Sequence, residues 1–173
     1  MTADGRAARG GSGRPVKTEK GRAWLWVLAQ GVLLAALLFV PPGPEMAPLS
    51  RLRPLAYVLE AVGLLFAVAA ALNLGNALTP LPSPREGGAL KTGGLYRYVR
   101  HPLYTGVLVW GTGFVLASPA PWRLFLFAML CVFFSRKARY EEALLRERFP
   151  EYADYTERTP RFFPRLNAAS GRG

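Results

Sequence analysis

The stretch GLYRYVRHPLYTG, Gly94 to Gly106, sets a charged turn directly against the start of an apolar segment. Pro102 disfavours the α conformation at His101 and suits the first position of a helix. The spacing therefore predicts a helix beginning near Leu103 and running apolar to about Ser118. Arg100 and His101 then sit at its positive end, beside backbone N–H groups that lack intrahelical partners. That arrangement reads as an anion site at a membrane surface, and His101 is the only histidine in the chain.

Working outward, the 173 residues are 51% hydrophobic yet carry a net charge of +11, an unusual pair of values for a soluble globule. The apolar residues fall in blocks. Ala23 to Val40 is interrupted clearly only by Gln30, and Leu55 to Leu78 holds Glu60, Asn73 and Asn76. Leu103–Ser118 and Pro121–Phe134 are shorter and are divided by Pro119 and Pro121, which predicts a tight helical hairpin. About 20 apolar residues cross a bilayer, so the pattern predicts an all-α, polytopic membrane protein with about four transmembrane helices. The last is expected to continue into the cytoplasm, from about Trp122 to Phe149, because SRKARYEEALLRERF contains good helix formers and neither Gly nor Pro.

Charge orients this arrangement. Of the 22 basic residues, 19 lie before the first span, between the second and third, or after the fourth, leaving Arg51, Arg53 and Arg123 on the other side. The positive-inside rule then puts both termini and the RHP turn in the cytoplasm, a multi-pass, integral-membrane location. The basic leader is long and PPGPEMAP follows Val40, so the first segment reads as an uncleaved span. Residues 1–22 and 167–173 are rich in Gly, Ala, Arg and Ser and read as irregular tails around a membrane domain over 23–166. No aromatic-interleaved basic stripe argues for nucleic acid. Cys131 and His101 stand alone and far apart, so no metal site is expected.

Within these limits the chemistry concentrates on the cytoplasmic side. The Thr79–Tyr96 loop has four glycines and three prolines, and glycine-rich backbone permits close approach to a ligand. Glu141 shares a helix face with Lys137, whereas Glu142, spaced with Arg139 and Arg146, reads as one member of a solvated salt-bridged face. Glu60 reads as a structural partner, to Arg53 or to a backbone group. The tail EYADYTERTPRFFPRL alternates aromatics with arginines and fits either a lid over the pocket or an interfacial anchor.

These parts, in this order, resemble the isoprenylcysteine carboxyl methyltransferase family and its phospholipid methyltransferase relatives. The pieces are LGNALTPLPSP (Leu74–Pro84), GGLYRYVRHPLYTG (Gly93–Gly106), EEALLRERFPEYADY (Glu141–Tyr155) and the closing RFFP. The resemblance implies an integral membrane enzyme that moves a methyl group from S-adenosylmethionine, held in a cytosol-facing pocket, to a lipophilic acceptor entering from the bilayer. That acceptor would be a prenylcysteine-like carboxylate, a lipid or a small thiol. Ala89, Leu90, Lys91, Tyr96, His101, Pro102, Leu103, Tyr104 and Glu141 match family cofactor contacts, and Arg100 is expected to join them at the helix mouth. Lys137, with Arg139 beside it, stands where relatives place an arginine for the substrate carboxylate. Methyl transfer from a sulfonium to a carboxylate or thiolate needs no general base, so no catalytic proton-transfer residue is assigned. A membrane NADPH-dependent sterol-type reductase and a non-catalytic protein binding anionic lipid are the competing readings.

The orientation is testable with single cysteines on a Cys131→Ser background. A membrane-impermeant thiol reagent applied to intact cells should label Ser118→Cys and neither Ser83→Cys nor Ser170→Cys. Labelling of either of the latter two overturns the four-span orientation.

Overall fold

The computed structural model describes residues 16–41, 43–75 and 89–164, and among these every regular element is helical. The order is α1 (Val16–Phe39), α2 (Ala47–Ser50), α3 (Arg53–Leu74), a 3₁₀ turn (Gly94–Arg97), α4 (Pro102–Ala117), α5 (Pro121–Arg148) and α6 (Tyr152–Arg158). Pro102 and Pro121 each open their helices, and two residues plus Ser118 make the α4–α5 hairpin. Residues 16–22, expected to be irregular, are the first turns of α1 instead; VKTEKGR carries Lys and Glu, which favour helix. The N-terminal tail before Val16, Asn76, most of the Thr79–Tyr96 loop and the tail from 167 lie outside the described residues.

Among the described residues, α3 is the one helix whose length and composition suffice for a membrane span. Ala23–Phe39 and Pro102–Ala117 are shorter apolar helices. At about 1.5 Å per residue α3 spans roughly 33 Å and α4 only about 24 Å, against a hydrocarbon core of about 30 Å. On α3, Leu65 and Leu72 are 69% and 76% exposed, and Leu55, Val58, Val62, Leu64 and Val68 also face outward. An apolar face this large is a contact surface for something other than water.

Small residues hold α3 against α4. Ala56, Gly63, Ala67 and Ala70 form the buried stripe of α3. A side chain at Gly63 would collide with the Trp110 backbone, one at Gly106 with Ala67, and one at Gly113 with Ala56 and Glu60. Close backbone approach of this kind replaces the hydrophobic drive that lipid does not supply. Of the two partners expected for Glu60, Arg53 or a backbone group, Arg53 is engaged elsewhere. Glu60 packs over Gly113, while Arg53 pairs with Glu45 and donates to the Ala117 carbonyl at 3.1 Å.

Aromatic packing sets α1 against α5, with Trp26 lying 5.4 Å from Phe133 and 5.7 Å from Tyr140. Leu37, Leu130 and Phe134 are fully buried, and Tyr104, Leu108 and Val115 of α4 join them in one core. The ends are tied as well. Met46 N–H donates to the Pro119 carbonyl at 2.8 Å on one side of the bundle, and the chain after α6 returns to the start of α4 on the other.

Gly63→Ala should cost about 1–3 kcal/mol, because its new methyl meets backbone atoms that cannot rotate away. Gly31→Ala, with nothing within 4 Å of the added carbon, should not lower stability. Thermal melts in detergent check this pair. Equal melting temperatures for both variants contradict the close α3–α4 contact.

Candidate active site at the mouth of α4

His101 is the N-cap of α4 in a non-helical conformation (φ −125°, ψ 61°), with Pro102 at the first helical position, so the predicted RHP turn is present and the helix begins one residue earlier than expected. Helix α5 crosses α4 and brings Glu141 and Glu142 to this turn. The segment after α6 then runs alongside it in the same chain direction. Arg100 N–H donates to the Pro160 carbonyl (2.9 Å), His101 N–H to the Arg161 carbonyl (3.1 Å), and the Thr105 hydroxyl to the Phe162 carbonyl (2.7 Å). The TPRFF segment is thus strapped over the helix mouth by backbone bonds.

Glu142 is the centre of the strap. It is 1% exposed, and the expectation that it lies on a solvated face with Arg139 and Arg146 is wrong. Arg161 grips it through two parallel bonds, Nε to Oε1 at 2.8 Å and Nη2 to Oε2 at 2.7 Å. His101 Nε2 lies 3.2 Å and Arg100 Nη2 3.3 Å from Oε1. Burial pushes the Glu142 carboxyl up, but hydrogen bonds from His101 and Arg161 and the charge of Arg100 outweigh it and hold it at about 2. Sequence spacing missed this because the decisive partners, Arg100 and Arg161, are distant in the chain. The anion that the turn holds is the protein's own carboxylate.

Glu141 faces the other way. The Tyr104 hydroxyl donates to its Oε1 at 2.6 Å, and Lys137 Nζ lies 4.0 Å from the same oxygen. Its Oε2 has His101 Nδ1 at 3.7 Å and, among the described residues, no hydrogen bond. Burial raises the Glu141 carboxyl, opposed by the His101 charge, the Tyr104 bond and the Lys137 charge. Burial, with the Glu141 charge, pushes the Tyr96 hydroxyl up to about 12. The Tyr155 hydroxyl donates to the Tyr96 carbonyl and fixes that residue from α6. The His101 and Tyr104 rings stack 5.3 Å apart, and Tyr104 stacks on Phe134 at 4.7 Å.

The structure therefore gathers Tyr96, His101, Tyr104, Lys137 and Glu141 into one cluster, with Pro102 buried behind it. Leu103 is half-buried on α4. Arg100 belongs to the Glu142 side of the turn rather than to this cluster. Arg139 points outward, and Ala89 and Lys91 are exposed on the irregular lead into the turn, with Leu90 half-buried there. Gly94 adopts a left-handed conformation (φ 60°) directly against Asn73, whose Oδ1 accepts from Leu95 N–H at 3.1 Å. This places the 3₁₀ turn on the end of α3. Arg161 and Gln30 were not foreseen; Gln30 accepts from Lys137 Nζ at 2.6 Å. Its signal in the sequence was its solitude, the one clearly polar side chain in an apolar segment. Among the described residues no three His, Cys, Asp or Glu side chains converge as metal ligands.

The Glu142 carboxyl predicts an acid-labile fold. Its folded value is depressed below the ordinary 4.5, so its contribution is complete above that value and is lost as pH falls toward about 2. Glu142→Gln should lower the melting temperature at pH 7 and flatten the decline between pH 5 and 2. Arg161→Ala should cost about 2 kcal/mol at neutral pH. Melting curves across this range check both; an unchanged slope in Glu142→Gln contradicts the assignment.

The sequence profile of the phospholipid methyltransferase family matches residues 52–152, which covers α3, the RHP turn, α4 and α5. The chain is 32% identical over 154 residues to the cobalt-zinc-cadmium resistance protein CzcN of Cupriavidus metallidurans, covering 87% of this chain and 67% of that one. It is 33% identical over 102 residues to protein-S-isoprenylcysteine O-methyltransferase B of Arabidopsis thaliana, covering 57% and 52%. The nickel-cobalt-cadmium resistance protein NccN of Alcaligenes xylosoxydans xylosoxydans is 39% identical over 89 residues, 49% of this chain and 40% of that protein. The chain thus spans between two fifths and two thirds of the length of these relatives. The matched segment contains both glutamates and the turn they meet, and the chain belongs to the phospholipid methyltransferase family.

Proposed function

We propose that this chain is an integral membrane methyltransferase that binds S-adenosylmethionine at the Glu141 cluster and methylates a lipophilic acceptor. The observation that carries the reading is Glu141 itself. It is a mostly buried carboxylate with one oxygen fixed by Tyr104 and the other without a hydrogen bond among the described residues. A cationic ligand is the chemistry such a group lacks, and burial that raises its carboxyl is relieved by a positive partner. S-adenosylmethionine carries an ammonium and a sulfonium, so the donor set fits the group. When bound, it supplies an electrophilic methyl and leaves as the neutral thioether.

The residues of the chain bind, orient and exclude water. Glu141 accepts the ammonium or ribose hydroxyls. The Tyr96 and His101 side chains close the cluster from the turn, and Ala89, Leu90 and Lys91 lead into it. Tyr104, stacked between His101 and Phe134, keeps the site dry on the membrane side. Alignment and water exclusion are what an in-line transfer to a carboxylate, thiolate or lipid acceptor needs. Lys137, 4% exposed, sits one turn closer to the membrane and is the cation for an anionic acceptor; burial lowers its ammonium against the opposing Glu141 charge. Arg139 would act only as an outer charge. Helix α4 is short for a bilayer, which thins the membrane locally and brings lipid ends toward the cofactor. In this reading α1, α3, α4 and the first half of α5 cross the membrane, and both termini are cytoplasmic.

Titration calorimetry in detergent tests the assignment. Wild type should bind S-adenosylmethionine and not NADPH. His101→Ala and Glu141→Gln should each weaken binding at least tenfold, about 1.4 kcal/mol, with the Glu141→Gln fold intact by melting temperature. NADPH binding in its place means a reductase. Binding of neither cofactor means a lipid-binding protein. Wild-type affinity in both variants removes the site.

A further inference from the structure

Lys137 and Glu141 stand one turn apart on α5, the spacing at which a buried lysine and glutamate close into a contact pair. They form a loose ion pair that has not closed to hydrogen-bond distance: Nζ is 4.0 Å from Oε1. Each is drawn off by a different helix. Gln30 of α1 takes Lys137 Nζ at 2.6 Å, and Tyr104 of α4 takes Glu141 Oε1 at 2.6 Å. The Lys137 ammonium lies 5.3 Å from the Tyr104 ring centre, over its face, which adds a second hold on the open position. Trp26, one turn before Gln30, stacks on Tyr140 and packs on Phe133, so the register that delivers Gln30 to Lys137 is fixed by aromatic contacts on both sides of it.

We infer that Gln30 is a positioning residue that holds Lys137 away from Glu141 and so keeps the carboxylate available to a cationic ligand. The inference rests on the reading of Glu141 as the cofactor carboxylate. It gives α1, which lies outside the matched family segment, a part in the site. A polar side chain within an apolar segment is costly unless it has work of this kind. Without the Gln30 carbonyl, the buried ammonium turns to Glu141, the carboxylate it already faces at 4.0 Å, and the pair tightens into a hydrogen-bonded salt bridge. A cationic ligand must then displace Lys137 before it binds.

This tightening predicts a rescue that a structural role for Gln30 does not. Gln30→Leu should weaken S-adenosylmethionine binding at least fivefold. Lys137→Met alone should leave it within about threefold of wild type. The double variant Gln30→Leu/Lys137→Met should recover to the level of Lys137→Met, because no ammonium remains to occupy Glu141. Gln30→Glu, which keeps an oxygen at the same place, should bind within threefold of wild type. Calorimetric titration of S-adenosylmethionine into the four purified variants, with melting temperatures alongside, reads all of this. A double variant as weak as Gln30→Leu, or Gln30→Leu binding as wild type does, overturns the inference while leaving the cofactor site standing. Wild type that fails to bind S-adenosylmethionine overturns the cofactor reading, and the inference with it.

Discussion

The buried ionic contact of Glu142 with Arg161, Arg100 and His101 is the constraint on which this end of the helix bundle depends. A carboxylate at 1% exposure is tolerated only when paired and hydrogen-bonded. Here its partners come from two places, the turn before α4 and the segment after α6, while α5 supplies the carboxylate. Removing the charge therefore loosens more than one bond. It releases the strap, frees His101 Nε2, and leaves the ring that stacks on Tyr104 without its anchor.

That anchoring gives two adjacent glutamates opposite tasks. Neighbouring residues on a helix point about 100° apart, so Glu142 turns into the strap while Glu141 turns toward Tyr104 and Lys137. His101 stands between them, with Nε2 on Glu142 and Nδ1 facing Glu141. A ring fixed by Glu142 presents its second nitrogen to the Glu141 cluster in one orientation, which is what a binding site needs from a supporting residue.

The architecture was largely legible from apolar blocks and proline punctuation. Pro102 and Pro121 mark helix starts because they fix φ and lack an N–H, and those starts are found within a residue of expectation. The α5 extension followed from an uninterrupted run of helix formers. The expectation of four spans goes further than the helices themselves, since among the described residues α3 alone has the length and composition of a span and two shorter apolar helices accompany it. The Glu141 face was readable from helical spacing to Lys137. Glu142 was not, because local spacing to Arg139 and Arg146 competed with partners 41 and 19 residues away, and burial decides between them. Gln30 showed itself only as a polar residue out of place; its partner lies 107 residues on.

The central claim is that a methyl group leaves a cofactor held at Glu141 for an acceptor delivered from the bilayer. The direct measurement is mass spectrometry of membrane lipid and small-molecule extracts incubated with purified protein and trideuteromethyl S-adenosylmethionine. The account predicts an extractable lipophilic product carrying one intact trideuteromethyl group, formed by wild type and lost in Glu141→Gln. Label that stays wholly in the cofactor, in wild type and variant alike, across extracts containing carboxylate, amine and thiol acceptors, contradicts it.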